Sequence, residues 1–74
     1  MRDSKGMYQA LYKYAPLSKA RIRDLLNQEQ FKMAWIGAQN SHGKRRIARV
    51  ATSGGTLYGL TLEGEKQLRE WERA

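Results

Sequence analysis

The sequence contains no cysteine, and this absence removes two common ways of stabilising a small protein. A chain without thiols forms neither disulfide bonds nor cysteine-based zinc sites. His42 is the single histidine, and no aspartate or glutamate lies within ten residues of it. We therefore expect no metal site, and a composition without cysteine is compatible with the reducing cytosol.

Long apolar runs are missing as well. The amino-terminal stretch MRDSKGMYQALYKY lacks the apolar core of a signal peptide, and no run approaches the roughly 18 apolar residues that a bilayer crossing needs. These absences predict a cytoplasmic protein without membrane contact, associated with the nucleoid if the source is bacterial or viral.

Catalytic groups are scarce. Outside the last twelve residues there is no pair of neighbouring carboxylates, and the glutamates near the end are typical of a solvated helix face. The 74 residues form one domain, 1–74, and a chain this short buries only about 60% of its unfolded surface, which leaves little room for a cleft. We expect no enzyme, no cofactor and no small-molecule substrate.

Positive charge is abundant and unevenly distributed. The chain has 14 lysines and arginines against 7 acids, a net charge of +7 and a pI of about 10.2. Residues 1–62 carry eleven basic and three acidic side chains, a net +8, whereas residues 63–74 carry three and four, a net −1. A basic body of this kind favours a polyanionic partner.

Three helices are predicted within the first 40 residues, at 4–15, 18–26 and 28–40. Met7, Leu11 and Tyr14 recur at helical spacing in the first, which Pro16 ends. The tyrosines of this helix could stack on bases, but an aromatic stripe at this spacing belongs more often to the core. Ser18 is the predicted N-cap of the second helix, whose apolar side is formed by Ala20, Ile22, Leu25 and Leu26.

The third helix has a predicted cap and two different faces. Asn27 is a suitable N-cap with Gln30 as its capping-box partner, so that the second and third helices form a helix-turn-helix. Counting 100° per residue turns Phe31, Ala34, Trp35 and Ala38 inward. The outer face is mixed, with Gln28 and Gln39 at its flanks, and consists of Glu29, Lys32, Met33, Ile36 and Asn40. Amides and lysine can contact base edges, whereas exposed Met33 and Ile36 equally suit a protein partner.

A β-hairpin is predicted at 44–61, after a turn at 40–43, and a last helix at 62–73 with Thr61 as its cap. Strand-like runs flank Ser53, Gly54 and Gly55. A two-residue turn at Gly54 and Gly55 would mix charged and apolar side chains on one face. A three-residue loop over Ser53–Gly55 instead pairs Val50 with Tyr58 and turns Arg49 outward beside Gly59, so we favour it.

Within a stretch of six positions, this hairpin carries four basic residues, Lys44, Arg45, Arg46 and Arg49. No acid lies between Glu29 and Glu63. A solvated loop is the plain alternative. A basic hairpin with a small, glycine-rich tip is also what contact with a phosphate backbone requires, because glycine lets the main chain approach closely.

The end of the hairpin carries a resemblance to a known family. The run YGLTLEGEKQL at 58–68 resembles the Y-x-L-T-x-x-G-x-x-x-L ending of the wing in MarR-like and PadR-like regulators. More loosely, Ser18 with the apolar residues after it is similar to their second helix, and Phe31 and Trp35 to their recognition helix. The resemblance implies an α+β winged helix, with a three-helix helix-turn-helix core, a hairpin wing and a closing helix.

The resemblance also implies double-stranded DNA as the partner, with the third helix in the major groove and the hairpin on the backbone or minor groove. The expected role is a small regulator of transcription or recombination. The candidate DNA-binding residues are Ser18, Gln28, Lys32, Met33, Asn40, Lys44, Arg45, Arg46, Arg49, Ser53, Gly54, Gly55 and Thr56. A homodimer on a repeated site is expected, because a single winged helix covers one half-site. The alternative function is a protein-interaction module that uses Met33 and Ile36.

Overall fold

The computed structural model describes residues 2–73 as an α+β fold. Within them, five helices and three strands follow in the order α1 Arg2–Tyr14, β1 Leu17–Ser18, α2 Lys19–Leu25, α3 Gln28–Ala38, α4 Ser41–Arg46, β2 Ile47–Thr52, β3 Gly55–Leu60 and α5 Leu62–Arg73. The α+β class, the first three helices, a hairpin and the closing helix are confirmed. The strand β1 and the helix α4 were not expected.

The predicted caps account for three helix starts. The Ser18 hydroxyl accepts a hydrogen bond from the Arg21 amide at 3.3 Å. Asn27 and Gln30 form the reciprocal capping box, with distances of 2.8 Å and 3.2 Å. The Thr61 hydroxyl accepts from the Gly64 amide at 3.1 Å at the start of α5. Each bond satisfies a backbone N–H that has no partner inside the helix.

A single apolar core lies between the helices and the sheet. Its buried members are Met7, Tyr8, Leu11, Leu17, Ile22, Ala34, Ala38, Ile47 and Leu68. The expected inward positions of Tyr14, Ala20 and Leu25 are wrong. Tyr14 and Leu25 are 52% and 43% exposed, and Ala20 is exposed as well. Tyr14 is the last residue of α1, so the buried stripe of this helix ends one turn earlier than the spacing predicts.

The expected turn at 40–43 is instead the beginning of α4. The Asn40 side chain accepts a hydrogen bond from the Gly43 amide at 2.8 Å and so acts as an N-cap. Gly43 is buried, and a Cβ there would lie 2.6 Å from backbone atoms of Ala38. Because this close packing holds α4 against α3, Lys44, Arg45 and Arg46 belong to a helix and not to the hairpin.

The hairpin register also differs from the prediction. The sheet is antiparallel in the order β1-β3-β2, with Arg49 opposite Tyr58, Val50 opposite Leu57 and Thr52 opposite Gly55. The turn therefore consists of Ser53 and Gly54, and the predicted three-residue loop and the pairing of Val50 with Tyr58 are wrong. Gly55 has φ of 128°, a conformation that glycine adopts easily, and its carbonyl accepts from the Thr52 hydroxyl at 2.6 Å.

The end of α4 is joined to the start of α5. The Thr61 amide donates to the Arg46 carbonyl at 3.0 Å, and its hydroxyl donates to the Arg45 carbonyl at 2.8 Å. A Cβ at Gly64 would overlap the Arg46 carbonyl oxygen, so glycine permits this contact. Within residues 2–73 no helix combines the length and apolar character that crossing a membrane would require.

Candidate nucleic-acid interface

The exposed side of α3 has two chemically different edges. Counting 100° per residue places Gln28, Lys32 and Gln39 together on one side, and we name these three exposed residues the polar edge. Met33 and Ile36, which are 57% and 63% exposed, lie further round the same outer face, with Ile36 one turn from Lys32, and we name them the apolar edge. The predicted exposure of both apolar side chains is confirmed.

A row of aromatic rings borders the polar edge. Phe31 stacks on Trp35 with ring centroids 5.4 Å apart, and Trp35 meets Tyr58 of β3 edge-on at 5.1 Å. The Lys19 ammonium of α2 lies 4.9 Å from the Trp35 centroid. Such contacts attract a cation to the ring face. The row therefore joins α2, α3 and the hairpin and holds Lys19 beside the polar edge.

Arg49 connects the hairpin to the end of α3. Its guanidinium donates to the Ala38 carbonyl at 3.2 Å and lies 5.8 Å from the Tyr58 centroid. Arg49 is exposed, as predicted, but its predicted position beside Gly59 is wrong because Tyr58 is the residue opposite it. A positive charge at the carbonyl end of a helix is favourable. The main observed contacts of Arg49 are therefore within the fold.

The three basic residues of α4 lie in different surroundings. Lys44 is exposed. The Arg45 guanidinium forms an ion pair with Glu63 at 3.3 Å and a hydrogen bond with His42 Nδ1 at 3.0 Å. Arg46 is half-buried, and its Nε donor is buried without an acceptor among the described residues. Lys44 and Arg45 are therefore exposed, as was expected of all three, and Arg46 is half-buried.

Tyr8 forms the neighbouring buried polar group. Its ring is 3% exposed and lies 5.0 Å from the Trp71 ring. Burial raises the pKa of the Tyr8 phenol above its usual 10.0, and the nearby Arg46 guanidinium opposes that rise. Tyr8 and Arg46 therefore join α1 to α4 beneath the surface.

The hairpin tip is open to solvent. Ser53, Gly54, Gly55 and Thr56 are all exposed, and a Cβ at Gly54 would meet nothing within 4 Å. The main chain at the tip can therefore approach another molecule closely, as expected.

Two other predicted contact residues use their side chains within the fold. The Ser18 hydroxyl caps α2, and Ser18 also pairs with Leu57 in the sheet. The Asn40 side-chain oxygen caps α4. Lys19, which lies over the Trp35 ring, and Gln39, on the same side of α3 as Lys32, were not among the predicted contacts. The sequence could have indicated Lys19, because this residue directly follows the N-cap of the helix that precedes α3.

The chain matches no protein-family model, no curated protein and no solved structure at a significant level. The resemblance of its wing motif to MarR-like and PadR-like regulators stays a prediction. The geometry and charge of its own residues are therefore what support a function.

Proposed function

We propose that this chain is a winged helix-turn-helix protein that binds double-stranded DNA. The order of its elements supports this fold. A short strand precedes the helix-turn-helix of α2 and α3, a hairpin follows it, and the sheet order is β1-β3-β2. The helix α4 is an addition between the third helix and the hairpin.

The observation that carries the proposal is the excess of exposed positive charge between α2 and the hairpin. From residue 19 to residue 49 the chain has eight basic and two acidic side chains, a net +6. Lys19, Lys32 and Lys44 are all exposed, on α2, α3 and α4 respectively. Exposed cations attract phosphates and provide the sequence-independent part of DNA affinity.

In the proposed complex, the polar edge enters the major groove. Gln28, Lys32 and Gln39 then face base edges, where amides pair with adenine and lysine with guanine. The tip residues Ser53 and Gly54 approach the backbone or the minor groove. We propose a regulator of transcription or recombination, since several polar side chains on one exposed helix edge are suited to reading sequence.

A salt titration with two matched triple variants tests this proposal. Replacement of Lys19, Lys32 and Lys44 by alanine removes three proposed phosphate or base contacts. Because each phosphate contact contributes about 0.9 to the slope of log affinity against log salt, the slope should fall by about 2 to 3. The control replaces Lys13, Lys66 and Arg73, which are exposed on α1 and α5, and lowers the net charge by the same three units.

We expect the control to bind a random duplex with nearly unchanged affinity and slope. Equal losses in both variants would show that net charge alone attracts DNA, without a defined surface. Unchanged binding by the Lys19, Lys32 and Lys44 variant would contradict the proposal.

A second copy of the chain stays a predicted partner. One winged helix covers one half-site, so a dimer would recognise a palindromic or repeated sequence. The exposed outer sides of α1 and α5 are available for self-association, and Tyr12 on α1 is 63% exposed. Sedimentation of a monomer at high micromolar concentration, with one-to-one binding to a short non-repeated duplex, would contradict a dimer.

A further inference from the structure

Four helices enclose a groove on the side of α3 that carries the apolar edge. The groove has a volume of about 500 Å³ and is bordered by α1, α3, α4 and α5. Tyr8 and Trp71 line one side, Met33 and Ile36 another, and Arg46 with His42 a third. Volumes of a few hundred Å³ with apolar walls and few polar groups are typical of binding sites.

A glycine keeps this groove open. Gly37 lines it from α3, and a Cβ at this position would lie 3.2 Å from the Ser4 hydroxyl oxygen of α1. Glycine in a helix interior costs about 1 kcal/mol relative to alanine. Alanine at this position would therefore favour the helix but would also narrow the space between α1 and α3.

The charge of the groove has one sign. Among residues 4–73, whose side chains the structure describes, the lining includes no aspartate or glutamate, and Arg46 is the permanent charge. The buried Arg46 Nε has no acceptor within residues 2–73. A buried donor without a partner is unfavourable and is rare in folded proteins. Arg46 as a whole is half-buried and lines the groove, so a carboxylate placed in the groove beside it would compensate its positive charge.

The exposed apolar residues indicate the size of the occupant. Met33 and Ile36 are separated by three positions, about one helical turn, and both are more than half exposed at the rim. A small molecule inside the groove would cover only the parts of these side chains that line it. A helix lying along the groove would cover both with apolar side chains one turn apart, as in other helix-in-groove complexes.

We propose that this groove binds an acidic amphipathic helix of another protein. The apolar side chains of that helix cover the apolar edge of α3, and one of its carboxylates accepts hydrogen bonds from the Arg46 guanidinium. The polar edge is the neighbouring part of the outer face of α3, with Lys32 one turn from Ile36, so this contact is tested without DNA.

Nuclear magnetic resonance with a synthetic peptide tests the proposal directly. The probe is an amphipathic helix with leucines on one face and glutamates beside them. A second peptide replaces each glutamate by lysine, and a third shuffles the first sequence. The chain has two tryptophans, and Trp71 lines the groove while Trp35 stacks on Phe31 outside it. Only the glutamate peptide should shift the Trp71 indole N–H signal, with that of Trp35 unchanged.

Three variants locate the contact. Ile36→Glu should weaken the glutamate peptide about tenfold or more, because it removes apolar area and adds a repelling charge. Gln39→Glu adds the same charge one turn away without removing apolar area, and it should weaken binding several-fold less than Ile36→Glu. Arg46→Gln, with folding checked by circular dichroism, should weaken binding and reduce its dependence on salt.

Several results would overturn the proposal. These are an unshifted Trp71 signal, equal binding of the lysine peptide, or equal losses in Ile36→Glu and Gln39→Glu. A Trp71 shift caused by duplex DNA would assign the groove to the nucleic-acid surface instead. A dimer that forms without peptide and is broken by Ile36→Glu would make a second copy the occupant.

Discussion

The two edges of α3 have opposite surroundings although they lie on the same helix. The polar edge is bordered by Lys19 on the Trp35 ring and ends near Arg49, which binds the Ala38 carbonyl. The apolar edge faces a groove with half-buried Arg46. Position around the helix therefore decides which partner a residue suits. A mixed outer face can therefore consist of two separate surfaces.

The largest expected effect comes from disrupting the wall of the groove. Gly43→Ala places a Cβ 2.6 Å from backbone atoms of Ala38 and forces α4 away from α3. We expect the free energy of unfolding to fall by about 3 kcal/mol, the upper part of the usual range for overpacking. Gly54→Ala at the open hairpin tip is the control and should change it by less than about 0.5 kcal/mol. Urea unfolding curves measure both, and equal effects would contradict the close packing of α4.

The next effect concerns sequence reading by the polar edge. Lys32→Ala should weaken the preferred duplex by about 2 kcal/mol and a random duplex much less, since a good base contact contributes roughly 1 to 3 kcal/mol of discrimination. Met33→Ala on the apolar edge is the matched variant and should weaken neither. Fluorescence anisotropy with both duplexes measures the difference. Equal losses for Lys32→Ala on both duplexes would assign Lys32 to phosphate, and a loss for Met33→Ala would join the two edges into one surface.

A smaller effect is expected at the contact between the hairpin and α3. Arg49→Met keeps most of the aliphatic side chain but removes the hydrogen bond to Ala38 and the charge over Tyr58. The free energy of unfolding should fall by about 1 kcal/mol, while the salt slope of DNA binding changes by less than the 0.9 of one phosphate contact. A full unit of slope lost without loss of stability would instead make Arg49 a phosphate contact.

The smallest expected effect is a change in stability at alkaline pH, caused by Tyr8 at the side of the groove. Burial raises the pKa of Tyr8 above 10.0, so the folded state holds the phenolic proton more tightly than the unfolded state. The contribution of this proton to the free energy of unfolding is complete below pH 10. It is lost as the pH rises through the folded-state pKa. Stability of the Tyr8→Phe variant should therefore decline less steeply above pH 10 than that of the wild type, by under about 1 kcal/mol per pH unit. Tyr12→Phe, at an exposed position, is the matched variant, and an equally steep decline in Tyr8→Phe would contradict the expectation.

Local chemistry explains what the sequence predicted correctly. The caps at Ser18, Asn27 and Thr61 each involve residues three positions apart, so the pattern is visible in a short stretch. The inward face of α3 follows equally from helical periodicity, because Ala34 and Ala38 lie on one side.

Longer-range contacts explain what was missed. Asn40 had the chemistry of a cap, but the choice between a turn and α4 depends on Gly43 packing against Ala38. Separation of charged and apolar faces favoured the wrong hairpin register because the acceptor of Arg49 lies on α3. No local pattern predicts the groove, since Tyr8, Arg46 and Trp71 come from three different helices.

If one edge of α3 binds DNA and the other an acidic helix, both ligands can occupy the chain together. Fluorescent duplex DNA is titrated in the absence and in the presence of saturating glutamate peptide. We expect DNA to bind in both titrations, with the Trp71 indole signal staying at its peptide-bound position. Displacement of the peptide by DNA, or a failure of either to bind the chain, would contradict simultaneous binding.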